Sequence, residues 1–188
     1  MKLVVPGLRY LPSYLEALER GWSPDNVRGK EAADEQLSRI EKDADGFLAS
    51  LDDPEGLGEP IRLPDGTLVP RLPSMVRWMW DGEFCGSIGF RWQRETGALP
   101  PSCLGHIGYA VVPWKRRKGH ATAALAYMLD EARHRGLPYV DITTRPENLA
   151  SRRVIVANGG TLIEKFVVDA AFGSREEIRF RIELEPRS

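Results

Sequence analysis

Between Ile107 and Thr143 the chain reads as an apolar strand (IGYAVVP), a basic turn (WKRRKG), a helix (HATAALAYMLDEARHRG) and a second strand (YVDIT). This succession constrains the fold more than any other part of the sequence. Pro113 cannot donate to a central ladder, so the first strand stops there. The helix presents Leu125, Met128, Leu129 and Ala132 on one side, and its alanines allow close approach to a sheet. A second helix follows in ENLASRRVIVANGG, closed by glycines, and then two strands, TLIEKFVV and EEIRFRIEL. Ile178, Phe180, Ile182 and Leu184 alternate with Arg179, Arg181 and Glu183, the pattern of a half-buried strand.

Upstream, SMVRWMWDGEFCGSIGFRWQ predicts two strands around a tight turn at Asp81-Gly82. Trp78, Trp80, Phe84, Phe90 and Trp92 are expected to be core or sheet-face residues, with an aromatic substrate wall as the sharper alternative. LPSYLEALERGW places Leu11, Tyr14, Leu15 and Leu18 at helical spacing. GKEAADEQLSRIEKDADGFLASLDD predicts one further helix with Leu37, Ile40, Phe47, Leu48 and Leu51 on its apolar side. Its acidic residues are expected to be solvated, although Glu31, Asp34 or Glu35 over a cleft would select a cation. DDPEGLGEPIRLPDGTLVPRLP is a loop or irregular ribbon. These elements predict an α/β (α+β mixed) fold, a mixed β-sheet flanked by helices. With 188 residues the simplest organisation is a single domain, 1–188, in which 1–73 is helix and loop and 74–188 is sheet-rich.

A net charge of -1 offers no global attraction to nucleic acid or to a membrane surface, so any anionic ligand must be drawn locally. No apolar run approaches the roughly 20 residues that span a bilayer, and MKLVVPGLRY is too short for a secretory core. Cys85 and Cys103 lack metal-site spacing and are too few for a disulfide framework, so no metal is expected and the expected compartment is a reducing cytoplasm.

Concentrated charge at Lys115, Arg116, Arg117 and Lys118 is therefore informative. At the start of a helix, unpaired N–H groups and the helix dipole bind phosphate, and Gly119 lets an anion approach closely. A solvated basic patch is the plain alternative. Neither a G-x-x-x-x-G-K-[ST] loop nor a G-x-G-x-x-G turn is present. Arg116-Arg117-Lys118-Gly119-His120-Ala121, preceded by IGYAVVP, resembles the R/Q-x-x-G-x-G/A motif of the GCN5-related N-acetyltransferase (GNAT) superfamily. The resemblance is strongest over Gly105 to Gly160 and extends from Ser74 to Leu184. It implies a twisted GNAT-like mixed sheet and acetyl-CoA as co-substrate. The backbone amides from Arg117 through Lys118, Gly119, His120 and Ala121 to Thr122 would hold its pyrophosphate. Ala110, Val111 and Val112 would lie beside the thioester, on a strand carrying a bulge.

Asn148 and Ser151, three apart on one side of a helix, form the second match. The resemblance implies that Asn148 contacts the pantetheine arm or orders the helix and that Ser151 hydrogen-bonds the leaving thiol. Read without the resemblance, Asn148 is an N-cap. Ile155 stands where many relatives carry a tyrosine general acid, which leaves Ser151 or water to protonate the thiolate. Tyr109 and Tyr139 are read as packing residues. The implied reaction is direct attack by a primary amine of a small molecule or peptide. A strand N–H near Ala110 or Val111 would stabilise the oxyanion. His106 and Glu83 are the candidates for removing the amine proton through water, against structural and exposed alternatives respectively. A catalytically inactive acyl-CoA-binding or regulatory module is the competing reading, and a nucleic-acid module ranks below it. The strands from Thr161 to Leu184 offer an edge or face for a homodimer.

Overall fold

The computed structural model describes all residues except Pro64, Glu95, 169–173 and 185–188. In chain order, β1 (Lys2–Val4) precedes α1 (Leu11–Glu19), α2 (Lys30–Lys42) and α3 (Ala44–Ala49). The single helix predicted over the last two is broken at Asp43, which adopts φ -159°, ψ 89° and accepts the Gly46 N–H on its side chain. A Cβ at Gly46 would lie 2.1 Å from that carboxylate, so the cap needs glycine there. The expected apolar side is kept across the break, with Ile40 and Phe47 buried. The acidic residues lie outside, Asp34 paired with Lys30 and Glu35 with Arg28. Three short strands, β2 (Asp52–Asp53) and the paired ribbon β3 (Ile61–Arg62) with β4 (Leu68–Val69), cross the Pro/Gly-rich segment.

The predicted hairpin forms from β5 (Ser74–Trp80) and β6 (Phe84–Arg91), followed by β7 (Ile107–Val111). These make an antiparallel sheet in the order β1-β5-β6-β7, with β2 also on β5. So the first strand of the chain and β2, neither expected from the sequence, complete the sheet that the later half begins. Helix α4 (His120–His134) then leads to β8 (Tyr139–Thr144), α5 (Leu149–Ala157), β9 (Thr161–Val167) and β10 (Glu176–Glu183). The last three strands form a second antiparallel sheet, β8-β10-β9.

Alternation along β5 sends Met75 and Met79 to one face and Trp78 to the other, which divides the core in two. One half packs β5, β6, β8 and β10 against Leu125, Met128, Leu129 and Ala132 of α4, the stripe predicted from sequence. The other half packs α1, α2 and α3 on the opposite face. There Tyr14 stacks on Trp78 at 4.4 Å, and Phe84 meets Tyr14 and Trp22 edge-on. Trp78, Phe84, Phe90 and Trp92 are all buried, which makes them packing residues rather than an aromatic substrate wall. On the edge strand β9, Leu162, Ile163 and Val167 are exposed, next to exposed Leu149 and Val156 of α5.

Candidate active site

Where β7 should meet β8 the sheet is split. Among the described residues one backbone seam joins them, just ahead of β7 and at the third residue of β8: the His106 N–H donates to Asp141 O at 2.7 Å, and the Asp141 N–H donates to His106 Nδ1 at 3.0 Å. Gly105 makes this approach possible, since a Cβ there would already sit 3.2 Å from Asp141 O and Thr143 N. Beyond the seam no strand pairing joins β7 to β8 among the described residues. On its other edge β7 pairs with β6 in unbroken register from Phe90↔Ile107 to Gly86↔Val111, and Val112 N–H donates to Cys85 O. The bulge expected in this strand is therefore absent. Register shifts occur instead at Met79/Trp80 and at Arg179/Phe180.

Antiparallel strands bond at alternate residues. With Val112 bonded toward β6, Ala110 and Gly108 share that side, while the main-chain groups of Tyr109 and Val111 face the gap. Arg116 Nε, donating to Val111 O at 3.2 Å, marks that direction. Of the strand positions named from sequence, Val111 offers an N–H to the gap. Ala110 and Val112 spend theirs in the ladder.

The basic turn after β7 is pinned at three points. The Arg20 guanidinium lies 3.6 Å over the Trp114 ring, Lys115 Nζ contacts Asp81 Oδ1 at 2.9 Å and Glu83 Oε2 at 3.2 Å, and Arg116 reaches back to Val111. Lys115 is thus turned inward. Arg117 and Lys118 are exposed and enter no ion pair among the described residues. Arg117 and Gly119 have φ of 63° and 77°, which curls the backbone at the mouth of α4. Gly119 is the N-cap and brings no side chain, so the first-turn amides of His120, Ala121 and Thr122 keep the donor capacity of an open helix start. A Cβ on Gly119 would meet nothing within 4 Å, so the space before the helix is clear. This donor set fits a pyrophosphate. The His120 ring points away from it, toward Asp81.

Helix α5 borders the gap from the other side. Asn148 is its N-cap and accepts the Ser151 N–H at 3.1 Å. Ser151 Oγ lies 3.0 Å from Tyr109 Oη, a contact that ties β7 to α5. Burial pushes the Tyr109 hydroxyl up to about 12, opposed by its bond to Ser151. Nothing in the sequence spacing signals this pair, because 42 positions separate its members. Ile155 is fully buried in the core, and a Cβ on Gly160 would come 2.3 Å from its Cγ2. No proton donor occupies that position. Asn158 Nδ2 donates to Thr122 O at 3.3 Å and holds the end of α5 against the first turn of α4.

The sequence profile of the acetyltransferase (GNAT) family matches residues 35–159. The chain belongs to this family. Solved structures share the GNAT architecture at low identity. The RimL ribosomal L7/L12 alpha-N-protein acetyltransferase superposes with a TM-score of 0.63 at 13% identity, over 98% of this chain and 94% of that one. RimJ of Mycobacterium smegmatis gives 0.60 at 20%, over 99% and 84%. The microcin C7 self-immunity acetyltransferase MccE gives 0.59 at 14%, over 96% and 91%. Among curated proteins no match was found.

Within this GNAT fold the two proposed proton acceptors are far from equivalent. His106 is 1% exposed, and its Nδ1 is occupied by the Asp141 N–H. Burial holds its pKa below the ordinary histidine value, with Asp141 pulling the other way. That geometry makes it a clasp between the two sheets. Glu83 stands on the exposed hairpin turn and pairs with Lys115, beside the basic turn rather than at the seam.

Proposed function

We propose that this GNAT chain transfers the acetyl group of acetyl-CoA to a primary amine of a small molecule or peptide by direct attack. The observation that carries this reading is the gap between β7 and β8, with an uncapped helix start at one side and the Ser151–Tyr109 pair at the other. Acetyl-CoA, when bound, supplies an activated thioester. The first-turn amides of α4, with Arg117 and Lys118, bind its diphosphate. Val111 N–H points where oxyanion charge would develop. Tyr109 Oη lies within hydrogen-bond distance of both Ser151 Oγ and the Ser151 carbonyl, so the two hydroxyls form one linked pair from which a departing thiolate would take its proton. MccE is described in complex with acetyl-CoA and AMP, which supports the donor, and RimL as an alpha-N-protein acetyltransferase, which supports an amine acceptor.

Ile155 in place of a tyrosine favours the second reading, an acyl-CoA-binding module without turnover. One assay bears on both: CoA release from acetyl-CoA across a panel of primary amines, with mass spectrometry on each acceptor. CoA release matched by an acceptor gaining the mass of one acetyl group supports transfer. Tight acetyl-CoA binding with no product across the panel shifts weight from these acceptors toward an unusual acceptor, another acyl donor or the binding module.

A further inference from the structure

We propose that Asp81 Oδ2, Cys85 Sγ and His120 Nε2 form a binding site for a divalent transition metal of the zinc class. The three residues come from the β5–β6 turn, the start of β6 and the first position of α4, and their donor atoms all lie within 4.8 Å of one another. They supply one oxygen, one sulfur and one nitrogen, a donor mixture that zinc accepts and magnesium or calcium does not favour.

The His120 ring is the independent sign. Its side chain is 8% exposed, and Nε2 has no hydrogen-bond partner. Asp81 Oδ2 is 3.6 Å away, beyond hydrogen-bond reach. A buried ring nitrogen left this way is costly unless something else meets it.

Asp81 divides its two oxygens between different tasks. Oδ1 accepts Lys115 Nζ at 2.9 Å, and Oδ2 faces His120. A metal on Oδ2 therefore leaves the lysine contact in place, and Glu83, 3.2 Å from the same ammonium, offsets its charge. A thiolate and a carboxylate together balance a doubly charged ion, and metal binding would release the Cys85 proton. Ligand distances of about 2.0–2.3 Å put neighbouring donors of a tetrahedral site roughly 3.3–3.8 Å apart. The 3.6 Å between Asp81 Oδ2 and His120 Nε2 already lies in that range, and small side-chain shifts within the 4.8 Å cluster close the rest. Three protein ligands leave one coordination position for solvent.

The test is titration of tag-free, chelator-treated protein with Co²⁺, read by thiolate-to-metal charge-transfer absorption. The expected result is a band that saturates at one equivalent and is removed by Zn²⁺. It should persist in Cys103→Ser, disappear in Cys85→Ser, and require at least about tenfold more metal in Asp81→Asn. Asp81→Asn lies on the hairpin turn and keeps an oxygen for Lys115, so it still tests the site if replacement of the buried cysteine prevents folding. Absence of the band at one equivalent overturns the site, and so does a band that is unchanged in Asp81→Asn. Neither outcome bears on acetyl transfer.

Discussion

Replacing Gly119 separates two costs that the structure places on one residue. At φ 77° an L-residue is strained by about 1–2 kcal/mol. The added Cβ itself meets no protein atom within 4 Å, so no clash is added in the free chain. Gly119→Val should therefore fold, with its melting temperature lowered by roughly 2–8 °C at about 2–4 °C per kcal/mol. Binding should suffer more. The new side chain stands in the clear space before α4, and each charge-assisted hydrogen bond to phosphate that it blocks is worth about 1.5–3 kcal/mol. Loss of one such bond weakens CoA binding by about 10- to 100-fold. Gly119→Asn is the control, because asparagine tolerates the left-handed region. It should regain most of the thermal stability and still bind poorly. Calorimetric titration with CoA, beside a thermal melt of each variant, reads both quantities. A folded Gly119→Val protein that binds CoA within about threefold of the parent would refute the placement of the diphosphate at this helix start.

Ser151→Ala should lower kcat by about 100-fold while CoA affinity changes little, and Tyr109→Phe should give a smaller loss in the same direction; an unchanged kcat removes the proton-donor role. His106→Ala should cost about 2–4 kcal/mol, because it opens a cavity and leaves the buried Asp141 N–H unpaired, and urea denaturation measures this. In the parent chain the folded His106 pKa is depressed, so its contribution is full above the ordinary histidine value and is lost as pH falls below about 6.5, where the unfolded chain takes the proton first. At the alkaline end the sign is opposite. Tyr109 is raised to about 12, so its contribution is full below pH 10 and falls by about 2–3 kcal/mol as pH rises from about 10 to 12. Tyr109→Phe should flatten that part of the stability profile, and an identical slope in the variant would show that the hydroxyl is not buried as described.

What could be read from the sequence was whatever repeats with a period or is fixed by a local turn. The β5–β6 hairpin, the inward stripe of α4 and the alternation in β10 all belong to this kind. The break at Asp43 was hidden because the apolar side continues across it, and only the Asp43–Gly46 cap reveals that two helices share the side. Strands β1 and β2 are too short to show a period, and each exists because β5 offers it an edge. The basic turn and the helix it opens were legible together, but the inward direction of Lys115 depends on Asp81 and Glu83, which are distant in sequence. Tyr109 looked like a packing residue, and the partner that changes its meaning lies on α5. Asn148 was legible both ways, and the structure places it as the cap of α5. The split between β7 and β8 leaves no mark on either strand, because an apolar run reads the same whether its neighbour is present or missing.

The gap-facing edge of β7 is built from main-chain atoms, and main-chain atoms do not mutate. Any residue other than proline supplies the same N–H and C=O at 109 and 111, so drift at these positions changes the texture of the cleft without erasing its donors. A search for function by side-chain identity would pass over this edge. Proline at 111 is the one substitution that deletes the donor outright, and a family built this way can keep its opening while almost every side chain around it is exchanged.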